Sequence, residues 1–100
     1  MKQFLLTNAA KQDLKSIVKY TEKKWGREQR NIYLKQFDDT FNMLANNLKA
    51  GFDCGYIKTG YKKFPQGSHI IYYIKGTASK ILVIRILHGA MDEQSNLLNS

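Results

Sequence analysis

Apolar side chains follow two periods along this chain, and the change from one to the other divides it. Ala10, Leu14, Ile17, Thr21 and Trp25 fall on one helical stripe, while Lys11, Lys15, Lys19 and Lys23 fall on a second. Leu34, Phe37, Phe41, Leu44 and Leu48 repeat the three-and-four spacing, with Gly26 ending the first pattern and Gly51 the second. Helices joined by so short a turn pack as an antiparallel hairpin, and Trp25, Phe37 and Phe41 are its expected core anchors. Ahead of the hairpin, Gln3 to Thr7 reads as a short strand ending in a Thr7-Asn8 helix cap.

Beyond Gly51 the period falls to two, and glycines punctuate short segments rich in Ile, Tyr and Val. This predicts a weak strand at Tyr56 to Lys58, then strands at Tyr61 to Phe64, Ser68 to Lys75 and Ile81 to His88, with Phe-Pro-Gln-Gly as a tight turn. The expected architecture is an α+β domain over residues 1–92, an N-terminal strand and a helix hairpin on an antiparallel sheet, followed by a tail at 93–100. A hairpin centred on Thr77-Ala78 sets Ile70 opposite Arg85 and His69 opposite Ile86, so that His69 and His88 lie diagonally. Both faces of that sheet come out mostly apolar. The helices cover one, so the tail or a partner has to cover the other.

Composition adds a partner to this picture. The 100 residues carry sixteen Lys and Arg against eight Asp and Glu, a net charge of +8, which suits an acidic partner such as nucleic acid, an anionic membrane or an acidic protein segment. Six of the cations, Lys58, Lys62, Lys63, Lys75, Lys80 and Arg85, lie in a stretch without a carboxylate. The helical lysines, interrupted by Asp13 and Glu22, read instead as a solvated face. Cys54, the single cysteine, permits no internal disulfide, and no signal peptide or membrane-length apolar run is present, so a cytoplasmic protein is expected.

Candidate chemistry gathers in the second half. His69 and His88 are the only histidines, and beside Lys62, Lys63 and Arg85 they form a conceivable acid-base set for a phosphodiester. Two histidines at a sheet end also serve simply as hydrogen-bonding groups. No ligand spacing for a metal is visible, and no cofactor is implied. Arg85, inside Ile-Leu-Val-Ile-Arg, requires an edge position or an anionic partner.

Taken in order, "LTNAAKQDLKSIVKYTEKKWG", "FPQGSHIIYY" and "VIRILHGAMD" resemble the ParE toxins of bacterial toxin-antitoxin systems, within the RelE/ParE superfamily, over Phe4 to Asp92. The resemblance implies a helix hairpin on a curved antiparallel sheet and a partner antitoxin of the ParD type, whose acidic C-terminal segment folds onto the toxin. It implies a toxin that binds and inhibits DNA gyrase, blocking replication, rather than an enzyme, and contact with operator DNA only through the antitoxin. RelE-type members instead cut messenger RNA on the ribosome. That alternative would use His69, Arg85 and Lys62 or Lys63, but the sequence has no arginine, lysine or tyrosine after Arg85 to complete the RelE set. On this reading Lys62, Lys63, Tyr73 and Arg85 hold the antitoxin, and His88, Met91 and Asp92 are candidates for contact with gyrase. Met91 departs from the His-Gly-Ala-Arg-Asp ending of many relatives.

Overall fold

A computed structural model describes residues 2–89 and 96–97 of the chain. The elements run β1 (Lys2–Leu6), α1 (Asn8–Trp25), α2 (Arg27–Asn46), a short 3-10 turn (Leu48–Ala50), β2 (Phe52–Asp53), β3 (Lys62–Gln66), β4 (His69–Lys75) and β5 (Ser79–His88). The strand order in the sheet is β1-β5-β4-β3-β2. Neighbours are antiparallel except at one place: β1 lies parallel to β5, so the sheet is mixed rather than wholly antiparallel. The expected domain boundary at 92/93 lies outside the described residues.

Local chemistry sets the helix ends. The Thr7 hydroxyl accepts from the Ala10 N–H at 3.0 Å and donates to the Ile84 carbonyl at 2.7 Å, so one side chain caps α1 and ties it to β5. Gly26, at φ 96, is the single residue between α1 and α2, a conformation that a residue with a Cβ rarely adopts. Trp25 is therefore carried past the end of the hairpin. It is 65% exposed and is not the core anchor that its stripe predicted.

The core between hairpin and sheet contains Ala10, Ile17, Phe37, Phe41 and Leu44 from the helices, packed on Ile71, Tyr73, Ile81, Val83 and Ile86. A second cluster lies on the other side of the sheet, where Cys54, Ile57, Tyr61 and Leu97 pack on Tyr72 and Leu87. The face that the helices leave open is thus closed by the chain itself, through the segment after β2 and through Leu97.

The register departs from expectation. His69 pairs with His88, Ile70 with Leu87 and Tyr72 with Arg85, but Tyr73 pairs with Val83, leaving Ile84 as the extra residue of a bulge. Strict alternation cannot anticipate a bulge, and the two histidines become direct partners instead of diagonal ones. The tight turn is displaced as well. Gly67, at φ 60, and Ser68 connect Gln66 to His69, while Pro65 sits within β3 opposite Ile70. β2 pairs only with Lys62 and Lys63, so Pro65 has no ladder bond to supply on its outer side. The weak strand expected at Tyr56 to Lys58 is replaced by β2 at Phe52–Asp53.

Tyr73 is fully buried, and its hydroxyl donates to the Leu48 carbonyl at 2.9 Å where the chain turns from the helices into the sheet. A Cβ at Gly51 would overlap that hydroxyl. Gly51→Ala is expected to destabilise the fold by about 1–3 kcal/mol through overpacking, read as a lower denaturant midpoint. An unchanged midpoint would show that Tyr73 yields freely.

Candidate functional site

Two surfaces flank α1. On one side its apolar residues Leu14 and Val18 meet Leu34 of α2 and Phe4 and Leu6 of β1, leaving two adjoining concavities of about 480 Å³ each. They share Leu6, Leu14 and Leu34, so they form one continuous groove. Its rim carries Lys11, Lys15, Lys19 and Lys35, with Glu22 and Asp38 as its carboxylates. Lysines spaced four apart on α1 share a face, which is why the stripe read as solvated borders an apolar trough. Leu34 is 39% exposed there, and β1 is the edge strand of the sheet alongside. The groove has the apolar floor and cationic rim that an acidic amphipathic segment requires.

Arg85 is committed to a structural role. Its Nε and Nη2 donate to the two carboxylate oxygens of Asp13 at 2.7 and 3.0 Å, and Nη1 donates to the Asn96 carbonyl at 3.1 Å. Asp13 Oδ2 also accepts the Ile86 N–H at 3.0 Å. Both side chains are more than four-fifths buried. The partner that Arg85 needed was foreshadowed by Asp13, the carboxylate that interrupts the lysines of α1.

Lys62 and Lys63 do not share a face. As neighbours on β3 they pair with Tyr73 and Tyr72, which belong to the cores on opposite sides of the sheet. Lys63 Nζ donates to the Tyr56 hydroxyl at 2.9 Å and lies over that ring. Tyr73 is buried, so Lys62, Lys63, Tyr73 and Arg85 do not form one surface in this structure. Of the gyrase candidates, His88 is exposed at the end of β5, and Met91 and Asp92 lie outside the described residues.

The second surface is the histidine end of the sheet. His69 and His88 have ring centroids 5.6 Å apart and nearly perpendicular. The Tyr33 hydroxyl reaches the Gln66 carbonyl at 3.2 Å and His69 Nδ1 at 2.9 Å. A carbonyl can only accept, so Tyr33 donates to Gln66 when His69 carries its proton on Nδ1, and donates to His69 when that proton is on Nε2. Burial, reinforced by the facing His88, holds the His69 pKa below the ordinary histidine value. Above this pair lie two shallow concavities of about 460 and 500 Å³, which share Tyr20, Trp25, Ser68 and His69. Sequence reasoning missed Tyr20 and Tyr33 here.

A helix hairpin on one face of a five-stranded mixed sheet, with a lysine-rimmed groove beside it, defines a small α+β domain. The chain shares its fold with the chromosomal ParDE toxin-antitoxin system of P. aeruginosa, at a TM-score of 0.71 and 16% identity over 88% of this chain and 96% of that one. A sequence model of the ParE toxins of type II toxin-antitoxin systems, parDE, matches residues 4–93, and the chain belongs to that family. It is 33% identical to toxin ParE1 of Caulobacter vibrioides over 97 residues, 97% of this chain and 99% of that protein. It is 35% identical to toxin ParE1 of Mycobacterium tuberculosis over 95 residues, 95% of this chain and 97% of that protein.

Two outcomes follow from this geometry. Asp13→Ala strands a mostly buried guanidinium and the Ile86 N–H, and is expected to cost about 3 kcal/mol in chemical denaturation. Asp13→Asn, which keeps an acceptor for Ile86, should cost less; equal costs would mean that the backbone bond contributes little. His69 is the pH-sensitive element. Its folded pKa is lowered, so the unfolded chain binds the extra proton and stability falls as pH drops through the ordinary value of about 6.5, levelling off below the folded pKa. The denaturant midpoint should therefore decline from pH 8 toward pH 5 (about one to two units either side of the ordinary value) more steeply in the native chain than in His69→Gln. Parallel profiles would rule His69 out as the source.

Proposed function

We propose that this chain is a toxin that inhibits DNA gyrase by binding and is neutralised in the cytoplasm by a ParD-type antitoxin, whose acidic segment lies in the groove between α1, α2 and β1. The observation that carries this reading is the groove, an apolar trough lined by exposed Leu34 and rimmed by four lysines in a chain of net charge +8. Membership of the ParE toxin family supports a toxin role, and the ParDE system that shares the fold supports a ParD-type partner. Operator DNA is reached, on this reading, only through the antitoxin.

Action by binding rather than by catalysis is supported by the scatter of the residues a nuclease would need. Arg85 is held by Asp13, and Lys62 lies four positions along β3 from Gln66, the partner of His69, a separation of about 13 Å. General acid-base chemistry demands groups within hydrogen-bond reach of one reacting atom.

Purified protein added to gyrase, relaxed plasmid and ATP should suppress supercoiling and accumulate cleaved linear DNA, and added antitoxin should reverse both. Untouched supercoiling together with arrested translation in extract would overturn the gyrase reading. Leu34→Glu places a negative charge in the trough at an exposed position, and should weaken antitoxin binding at least tenfold, by about 1.4 kcal/mol, while gyrase inhibition persists. Unaltered antitoxin affinity would remove the groove from the interface.

A further inference from the structure

We propose that the cleft at the histidine end of the sheet binds single-stranded nucleic acid, with a base stacked on the exposed rings of Trp25 and Tyr20 and its phosphate held by Lys24. Trp25 and Tyr20 are 65% and 60% exposed, and large aromatic surface left in water at one place marks a recognition site. Both rings flank one cation. Lys24 Nζ lies 5.4 Å from the Trp25 ring centroid and 5.7 Å from that of Tyr20, and donates to the Tyr20 hydroxyl at 3.3 Å. Ser68, His69 and His88 line the same cleft and bring a hydroxyl and two imidazoles as hydrogen-bonding groups.

The charge distribution selects an anion. No carboxylate lines either concavity among the described residues. Glu22, one turn before the end of α1, is paired with Arg30 at 3.1 Å and Arg27 at 3.8 Å. A protein partner would also value an exposed tryptophan, but it would find little aliphatic surface here, because among the described residues Ile17 is the one aliphatic side chain lining the cleft and is almost wholly buried. Planar rings around an ammonium group, with polar donors opposite, instead match the alternation of flat base and charged phosphate in a nucleic acid strand. The strand has to be single, because a duplex keeps its base faces stacked on one another and out of reach. This inference does not rest on the gyrase reading, although His88 belongs to both, and it concerns a different surface from the antitoxin groove.

Trp25 is the only tryptophan of the chain, so its fluorescence reports on this cleft alone. Titrating the purified full-length protein with a short oligothymidylate at low salt should give saturable quenching, and the matching duplex should not. Tyr20→Ala and Lys24→Ala should each weaken binding roughly tenfold, the loss expected for one stacking or charge contact. Lys15→Ala removes the same charge from the far groove and should leave the affinity unchanged. Binding of a labelled oligonucleotide by Trp25→Ala, followed by anisotropy, should fall similarly, with circular dichroism confirming that each variant is folded. Absence of quenching would overturn the proposal. Equal losses in Lys15→Ala and Lys24→Ala would do so too, by showing diffuse attraction, as would quenching by a gyrase subunit without any by oligonucleotide.

Discussion

Asp13 adds a charged tie between α1 and β5 to the apolar contact that packs the hairpin on the sheet. Its carboxylate takes two bonds from Arg85 and one from the Ile86 backbone, so a helix is hydrogen-bonded directly to the sheet. The place matters. β1 pairs with β5 only as far as Val83, and beyond it Thr7 donates to the Ile84 carbonyl and Asp13 accepts from the Ile86 N–H, the two roles that a further strand would have filled. At this handover the bulge at Ile84 shifts the alternation, which is how Val83 and Ile86, three apart, both reach the same core. Arg85 also holds the Asn96 carbonyl, so the position of Asn96 depends on the same charge pair. An ion pair this enclosed gains its value from completeness, since removing either partner leaves the other buried and unmatched.

Much of the fold was legible in the sequence where a repeating pattern governed it. The three-and-four spacing located both helices, Gly26 located their turn, and Thr7 located the cap, because each of these is decided within a few residues. What was lost was decided by contacts distant in the chain. The bulge moved the register, Pro65 entered a strand because its outer neighbour stops short, and Trp25 left the core because the one-residue turn ends the hairpin beneath it. The candidate site was less legible than the fold. That Lys62 and Lys63 point apart follows from strand alternation alone, but that Arg85 is spent on Asp13 could only be suspected from two charges in unlikely company.

One helix serves both surfaces. Leu14 and Val18 of α1 look into the lysine-rimmed groove, while Ser16 and Tyr20 border the histidine cleft. The core residues Ala10, Ile17 and Thr21 lie between and fix the relation of the two. A molecule seated in the groove and one in the cleft would therefore touch the same helix through different side chains.

The parallel pairing of β1 with β5 has a consequence in time. The first strand to be synthesised has its partner in the last, and Thr7 bonds to a residue 77 positions later. Until that late strand emerges, β1 has no strand to pair with and the hairpin has no sheet centre to pack against. The sheet is consequently closed only when the last of these strands is free to pair, later than the hairpin can form. The edge strand β1 of the sheet is thus the first of these strands to be made and among the last to be paired.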